Sequence, residues 1–143
     1  MSDRAYPLRP MVGIGVVLLQ PAAVLLVRRA KAPSLGRWAL PGGAQELGET
    51  AEAAARRELR EEAGLEAGPM VLAATVDSIH HDESGRVLYH YTIIDFAARW
   101  VGGDPVAGGD VSDATFAPLE RLGPFALWDE ALRVISVARA LLP

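Results

Sequence analysis

The sequence predicts an α/β fold in which strands and helices pack in layers. Runs rich in Val, Ile and Leu, separated by Gly, Pro and polar residues, are typical of strands. Two other segments, residues 50–63 and 129–142, have the composition and apolar spacing of helices. The strand runs surround the helices and mix neighbouring with distant connections, which favours an α/β layered sandwich.

The first three strands are predicted from apolar runs broken by turn residues. Residues 11–19 and 23–27 are two such runs, and the Gln-Pro-Ala segment at 20–22 separates them as a short turn would. Residues 38–40 are a further short strand, which ends at Pro41.

Residues 50–63 are predicted to form a helix with defined ends. The segment is rich in alanine, Thr50 is a suitable N-cap, and Gly64 stands where a left-handed C-terminal cap is wanted. Ala55, Leu59 and Ala63 lie on a side distinct from the glutamates of the same segment. We therefore expect one face to pack on the sheet while the adjacent acidic face holds a metal ion.

The remaining elements are predicted from the same signals. They are strands at residues 70–79, 87–100 and 115–117, a Gly- and Asp-rich loop at 102–113, and a helix at 129–142. The polar segment between the first two strands indicates a hairpin with a loop longer than a tight turn. The buried stripe of the terminal helix is assigned to Leu132, Ile135, Ala138 and Leu142.

Length and composition exclude several classes of protein. The 143 residues are 50% hydrophobic and 22% charged, as expected for one globular domain spanning residues 1–143. The net charge of −4 provides no basic footprint for nucleic acid, and the absence of cysteine excludes disulfides and thiolate metal sites. No apolar run approaches the ~20 residues of a membrane span, and the N-terminus has no secretory signal pattern. We therefore expect a cytoplasmic protein that binds neither nucleic acid nor membrane.

Three glutamates on the predicted helix indicate a metal site. Because successive helical residues are about 100° apart, Glu58, Glu61 and Glu62 fall within roughly 100° of one face. Carboxylates so close together repel one another unless a positive charge lies between them. Their oxygen atoms suit hard cations, Mg²⁺ or Mn²⁺, better than zinc. A solvated, salt-bridged helix would explain the charges, but not the glycines at both ends of the segment or the apolar Leu59 and Leu65.

The spacing of this segment resembles the signature of the Nudix hydrolase family. Gly43 is followed after five residues by Glu49, and after seven more by Arg-Glu-Leu, one residue, Glu-Glu, one residue and Gly-Leu, ending at residue 65. Every position of the Nudix box is present. The resemblance implies an α/β/α sandwich with a central mixed β-sheet, in which the box forms loop, helix and loop. It also implies an enzyme that hydrolyses a nucleoside diphosphate linked to another group with the help of a divalent metal ion.

The resemblance assigns roles to particular residues of the box. The metal ligands that it implies are the backbone carbonyl of Gly42 and the carboxylates of Glu58, Glu61 and Glu62. Arg57 would hydrogen-bond a carboxylate, that of Glu49, and so orient the glutamates; otherwise it makes a surface ion pair worth little. Gly43 is assigned to substrate binding, because glycine allows backbone angles that a side chain would forbid.

The general base is assigned less directly. In the family it is often a carboxylate from a distant loop, which corresponds here to residues 102–113. Asp110, in a Gly-Gly-Asp segment, is the first choice, and Asp113, Asp104 and Glu61 are alternatives. Ordinary turn chemistry also explains each of the loop aspartates.

Two residues outside the box are assigned to substrate binding. Arg28, at the end of the second strand, would meet a phosphate or ribose oxygen, as the corresponding arginine does in some relatives, while Arg29 faces the other way. A solvated arginine at a strand end is the alternative. Tyr91 shares a strand face with Tyr89, and the two rings either stack on a base or pack in the core.

The box indicates a reaction rather than a substrate. The compact chain, with Val-Arg-Arg-Ala, Leu-Pro-Gly-Gly and His-Tyr-Thr-Ile-Ile-Asp-Phe, resembles small bacterial ADP-ribose pyrophosphatase-like members. ADP-ribose or a related nucleotide sugar is therefore the preferred substrate, although His80 and His81 replace the proline that often marks this specificity. The alternatives are hydrolysis of nucleoside triphosphates, oxidised ones included, and a non-catalytic nucleotide sensor. The resemblance leaves a homodimer open.

Overall fold

The computed structural model describes residues 4–32 and 34–143. The strands in these ranges are β1 Met11–Gln20, β2 Ala23–Arg29, β3 Trp38–Ala39, β4 Gly42–Ala44, β5 Val71–His81, β6 Val87–Arg99 and β7 Val111–Pro118. The helices are α1 Ala51–Ala63 and α2 Asp129–Leu141, with a short 3₁₀ turn at Gly123–Phe125 before α2. Each strand and helix expected from the sequence is present, and β4 and the 3₁₀ turn are additional.

The strands form one mixed sheet. Its order is β3-β2-β1-β6-β5, with β4 paired to the first half of β1 and β7 paired along β2. β1 and β6 are parallel, whereas the β5–β6 pair is the expected antiparallel hairpin. At one level of the sheet, Gly42 of β4, Gly15 of β1 and Asp95 of β6 lie side by side. This row joins the Gly-Gly segment to the centre of the sheet.

Two hydrophobic cores cover opposite faces of the sheet. On one face α1 packs through its alanines and Leu59 against Ile14, Val16, Leu18 and Leu25. On the other face α2 packs through Val134, Ile135 and Ala138 against Val17, Leu19, Val24 and Leu26. Fully burying one such aliphatic side chain contributes about 1.5–3 kcal/mol. The predicted α/β/α sandwich with a central mixed sheet is therefore confirmed.

The buried stripe of α2 differs from the predicted one by one position. Leu132 remains 38% exposed, while Val134, which the sequence assignment omitted, is fully buried. Leu142 follows the last residue of the helix. A helix that packs at a slight angle on a twisted sheet buries a stripe that the sequence period alone does not specify. Neither α-helix in the described ranges is long and apolar enough to cross a membrane.

Both ends of α1 are capped as the sequence predicts. The Thr50 hydroxyl accepts a hydrogen bond of 3.0 Å from the Ala53 amide, and Thr50 has the extended backbone of an N-cap. Gly64 adopts the left-handed conformation at φ 66° and donates its N–H to the Arg60 carbonyl. These caps, together with the buried face, define the orientation of the acidic side of the helix.

Replacing Thr50 with Ala removes the acceptor for the Ala53 amide at the start of α1. We expect the free energy of unfolding, measured by urea denaturation, to fall by about 1 kcal/mol. Thr50→Ser retains a hydroxyl acceptor and should lose much less. Equal losses in the two variants would show that the methyl group of Thr50, rather than the cap, carries the effect.

Candidate active site

The glycines of β4 allow the sheet to approach the acidic side of α1. Gly43 pairs with Ile14 of β1, and a β-carbon at Gly43 would overlap the carboxylate of Glu58. A β-carbon at Gly42 would likewise overlap the Ile14 carbonyl. Both positions therefore require glycine for close approach rather than for an unusual backbone angle. The result is a groove between β4 and α1 of about 440 Å³.

Arg57 lies at the centre of the carboxylates in this groove. It donates two hydrogen bonds to the Glu49 carboxylate, of 2.7 Å from Nε and 2.9 Å from Nη2. Nη1 donates to Glu58 at 2.9 Å and to Glu61 at 3.2 Å, and Nη2 also donates to the Ala44 carbonyl at 3.1 Å. Because of these partners the pKa of Arg57 is raised and that of Glu49 is lowered, Glu49 chiefly by its hydrogen bonds from Arg57. One cation thus places three carboxylates.

Glu62 is bound differently from the other glutamates of α1. It is only 7% exposed, and its Oε1 accepts a 2.8 Å hydrogen bond from the backbone N–H of Gly42. Burial raises the pKa of Glu62 to about 7, with a further contribution from the nearby charge of Glu58. Burial also raises the pKa of Glu58, although its bonds from Arg57 oppose the shift. The negative charges of Glu58 and Glu62 are therefore only partly balanced by nearby positive charge.

The donor atoms of the groove fit a hard divalent cation in chemical type. Carboxylate oxygens from Glu58, Glu61 and Glu62 line it, and such oxygens are the ligands that Mg²⁺ and Mn²⁺ prefer. As they stand, no three His, Asp or Glu side chains in the described ranges are grouped so that they could hold a metal ion. In this arrangement Arg57 and the Gly42 amide bind oxygens of these glutamates.

Of the loop aspartates, the structure brings Asp110 to the groove. Asp110 lines the groove near Glu62 and forms an ion pair of 2.8 Å with Lys31, both side chains being well exposed. This hydrogen bond and charge lower the pKa of Asp110. Asp104 and Asp113 do not line it, and Asp113 lies within β7 rather than in the predicted loop. Glu61 lines the groove but is half exposed.

The predicted orientation of Arg28 and Arg29 is wrong. Arg29 lines the groove beside Glu62 and Asp110, while Arg28 points away and donates through Nε to the Gly36 carbonyl. The alternation along β2 was correct, but the sequence does not specify which face meets the groove. The Nε of Arg29 is buried and has no hydrogen-bond partner in the described part of the chain. Arg29 therefore lines the groove with one N–H donor unused.

A larger cleft of about 850 Å³ continues from the same glycines across the sheet. Tyr91 and Tyr89 of β6 both line it, as their shared strand face predicts, and Trp38 lines it from β3. A β-carbon at Gly13 of β1 would lie 3.2 Å from the Ile93 side chain and in ordinary contact, at 3.4 Å, with the Tyr91 ring. The cleft thus offers aromatic surface next to the acidic groove, a combination typical of small-molecule sites.

Sequence reasoning missed Asp95, which lines this cleft from the middle of β6. Its side chain is almost fully buried, with 4% exposure, and burial raises its pKa to about 6. The available signal was a single acidic residue within the apolar run Ile-Ile-Asp-Phe, because an unpaired carboxylate is rarely buried in a strand without a reason.

Comparison with known proteins identifies the family to which this chain belongs. A family model described as the NUDIX domain matches residues 9–137. The chain belongs to the Nudix hydrolase family. Its members generally require a divalent metal ion, which accords with the oxygen donors of the groove.

Three similar proteins illustrate the range of the Nudix family around this chain. An ADP-ribose pyrophosphatase of Methanocaldococcus jannaschii is 34% identical over 125 residues, 87% of this chain and 72% of that protein. The oxidized purine nucleoside triphosphate hydrolase of Danio rerio is 43% identical over 65 residues, 46% of this chain and 36% of that protein. Among solved structures, the NUDIX domain of Shewanella oneidensis NrtR, complexed with ADP ribose, has a TM-score of 0.78 and 25% identity, covering 94% of this chain and 90% of that one.

The buried carboxylate of Asp95 should make a contribution to the stability of this Nudix protein that falls with rising pH. Its pKa is raised from 3.8 to about 6, so the folded state binds the proton more tightly than the unfolded state. Stability that is present below pH ~4 is therefore lost as the pH rises to ~6, by up to about 3 kcal/mol.

Asp95→Asn removes this titration. Urea unfolding of both proteins at several pH values, with chelator present, should show the free energies of unfolding diverging between pH ~4 and ~6, with the variant more stable at the upper end. Parallel pH profiles would contradict the assignment.

Proposed function

We propose that this Nudix hydrolase cleaves the pyrophosphate bond of ADP-ribose or a related nucleoside diphosphate sugar. The observation that carries the proposal is the continuity of the acidic groove with the aromatic-lined cleft. One substrate can then place its pyrophosphate beside the glutamates and its nucleoside in the cleft. The similarity to an ADP-ribose pyrophosphatase over most of both chains supports this substrate class.

We assign the metal to the acidic groove. Glu58, Glu61, Glu62 and the carbonyl of Gly42 would hold Mg²⁺ or Mn²⁺. Burial raises the pKa of Glu58 and Glu62, and a bound cation would stabilise their ionised forms. When bound, a divalent cation neutralises charge on the pyrophosphate and lowers the pKa of water. For a cation to bind, the oxygens now held by Arg57 and Gly42 must be shared or released.

Arg57 and Glu49 are assigned as positioning residues. Their two-bond ion pair holds the guanidinium so that its remaining N–H groups meet Glu58 and Glu61. Bidentate pairing of this kind specifies orientation as well as attraction. The Arg57–Glu49 pair thereby holds the carboxylates of Glu58 and Glu61 in one geometry before the substrate binds. This lowers the entropic cost of ordering these carboxylates during the reaction.

On the substrate side, Arg29 replaces Arg28 as the residue assigned to phosphate binding. Its buried and unpaired Nε, beside the glutamates, can donate to an anionic oxygen. Gly43, which lines both the groove and the cleft, stays assigned to substrate binding, and Tyr91 offers a ring for the nucleoside.

For the general base we retain Asp110, with Glu61 as the alternative. Asp110 lines both the groove and the cleft, and its low pKa keeps it ionised near neutral pH. The same Lys31 ion pair makes it a weaker acceptor of protons. Glu61 is bound to Arg57 and is therefore less free to move toward a water molecule.

Hydrolysis of nucleoside triphosphates, oxidised purine nucleotides included, is the second candidate function. Its support is the 43% identity with the Danio rerio hydrolase, although that similarity covers less than half of this chain. The acidic groove would serve either substrate, since both contain a pyrophosphate. The homodimer, the cytoplasmic location and the single-domain organisation of residues 1–143 stay predictions.

A substrate panel tests the proposed function. The purified protein would be incubated with Mg²⁺ or Mn²⁺ and with ADP-ribose, other nucleotide sugars, dinucleoside polyphosphates or triphosphates, and the products separated by chromatography. We expect AMP and ribose 5-phosphate from ADP-ribose, with the largest kcat/KM of the panel. Faster hydrolysis of a triphosphate would favour the second candidate, and no hydrolysis of any compound would favour a nucleotide sensor.

Glu62→Gln should reduce Mg²⁺-dependent hydrolysis more than ~100-fold, because it removes a charged metal ligand whereas loss of an outer partner alone costs ~10- to 100-fold. The fold should persist in circular dichroism, since Gln can still accept the hydrogen bond from Gly42. Glu66→Gln, an exposed carboxylate paired with Arg60 outside the groove, is the matched control. Undiminished turnover in Glu62→Gln would defeat the metal assignment.

Asp110→Asn should lower kcat by about 10²- to 10⁴-fold if this carboxylate accepts the proton. Metal affinity, measured by titration with Mn²⁺, should stay at the wild-type value. Asp77→Asn changes an exposed carboxylate on β5 and should leave both quantities unaltered. An unchanged kcat in Asp110→Asn would transfer the role of base to Glu61.

A further inference from the structure

The carboxylate of Asp95 occupies space that a neighbouring glycine leaves at the edge of the 850 Å³ cleft. Asp95 is level with Gly15 of the neighbouring strand, and a β-carbon at Gly15 would overlap its Oδ1. Glycine at this position therefore leaves room for the Asp95 carboxylate beside β1. The side chain is 4% exposed yet borders the cleft, so its remaining access is directed into that space.

No group in the described part of the chain donates a hydrogen bond to this carboxylate. Arg133 of α2 is the positive charge that acts on it, but the Arg133 guanidinium is bound to the Glu130 carboxylate and to the Thr75 carbonyl. Burying a carboxylate without donors costs several kcal/mol. A purely structural role would supply such donors from the protein, and none is present there.

The position of Asp95 relative to the acidic groove matches the nucleoside part of a nucleotide. Gly42, whose amide binds Glu62, is separated from Asp95 by one intervening strand, at Gly15. Two strand spacings place the two backbones about 10 Å apart. A nucleotide with its phosphates at the glutamates would therefore bring its sugar or base to Asp95.

We infer that Asp95 determines specificity by accepting hydrogen bonds from a donor pair on the nucleoside of the substrate. A carboxylate has two oxygens that can each accept a bond. Two adjacent donors occur in the vicinal hydroxyls of ribose and in the two N–H bonds of the amino group of adenine; in guanine a ring N–H lies beside the amino group. The inference rests on the proposed function only in requiring a nucleotide substrate.

Asp95→Asn tests the inference, because Asn retains the shape but replaces one acceptor with a donor. Binding of AMP and of ADP-ribose would be measured by calorimetry with chelator present, and KM and kcat by hydrolysis with Mg²⁺. We expect binding weakened about 10- to 100-fold, as for loss of a hydrogen bond to a charged group, and a rise in KM larger than any fall in kcat. Asp77→Asn is the matched control and should match the wild type.

Nucleotide analogues distinguish the two sources of donors. If Asp95 binds the ribose, 2′-deoxy-AMP and 3′-deoxy-AMP, which each keep one of the two hydroxyls, should show a smaller difference between wild type and variant than AMP does. If it binds the base, those analogues should retain the difference, whereas purine riboside monophosphate, which lacks the amino group, should lose it. Asp95→Ser provides a second variant without an acidic group in case the Asn variant does not fold.

Wild-type affinity of the folded variants for both nucleotides would overturn the inference, as would failure of the wild-type protein to bind either nucleotide. The result is separable from the proposed function. A wild-type protein that binds ADP-ribose but hydrolyses only triphosphates would overturn the proposed substrate, while the comparison of Asp95 variants would still be decided by binding.

Discussion

The ion pairs of Arg57 are the interaction on which the rest of the site depends. Glu49, Glu58 and Glu61 come within hydrogen-bond distance of one guanidinium, and without it their charges would repel. A planar group with five donors can serve three carboxylates and the Ala44 carbonyl together, which an ammonium group could not do in the same geometry. The caps of α1 and the glycines of β4 then bring these groups to the sheet.

Glu62 and Asp95 show the opposite arrangement, since both are buried without a cation bound to them. Burial raises the pKa of each toward neutrality, to about 7 and about 6. The two cores on either face of the sheet supply the stability against which this cost is set. Buried carboxylates that border a cleft are typical of functional sites, because a ligand can provide the missing partner. Stability and function therefore compete at these two residues.

The box was predictable because its geometry is local. The order of residues along one helix places Glu58, Glu61 and Glu62 on one side, and Thr50 and Gly64 specify the ends. The orientation of Arg28 and Arg29 was not predictable, because it depends on how β2 is placed in the sheet. Along β2, Leu25 packs on the α1 side while Val24 and Leu26 pack on the α2 side. The alternation therefore places Arg29 on the α1 side, and only the packing of the two helices reveals this.

The strand β4 and the position of Asp95 both depend on pairing between strands that are distant in the sequence. Gly-Gly-Ala has low strand propensity, and β4 exists because those residues pair with β1. Asp95 reaches the cleft because β6 lies parallel to β1 and meets Gly15 there. The sequence by itself determined the capped acidic helix, the family of the chain and the layered fold, since these follow from local spacing and periodicity. Only the tertiary structure decided that Arg29 lines the groove and Asp95 the cleft, because strand register sets which side chains share a face.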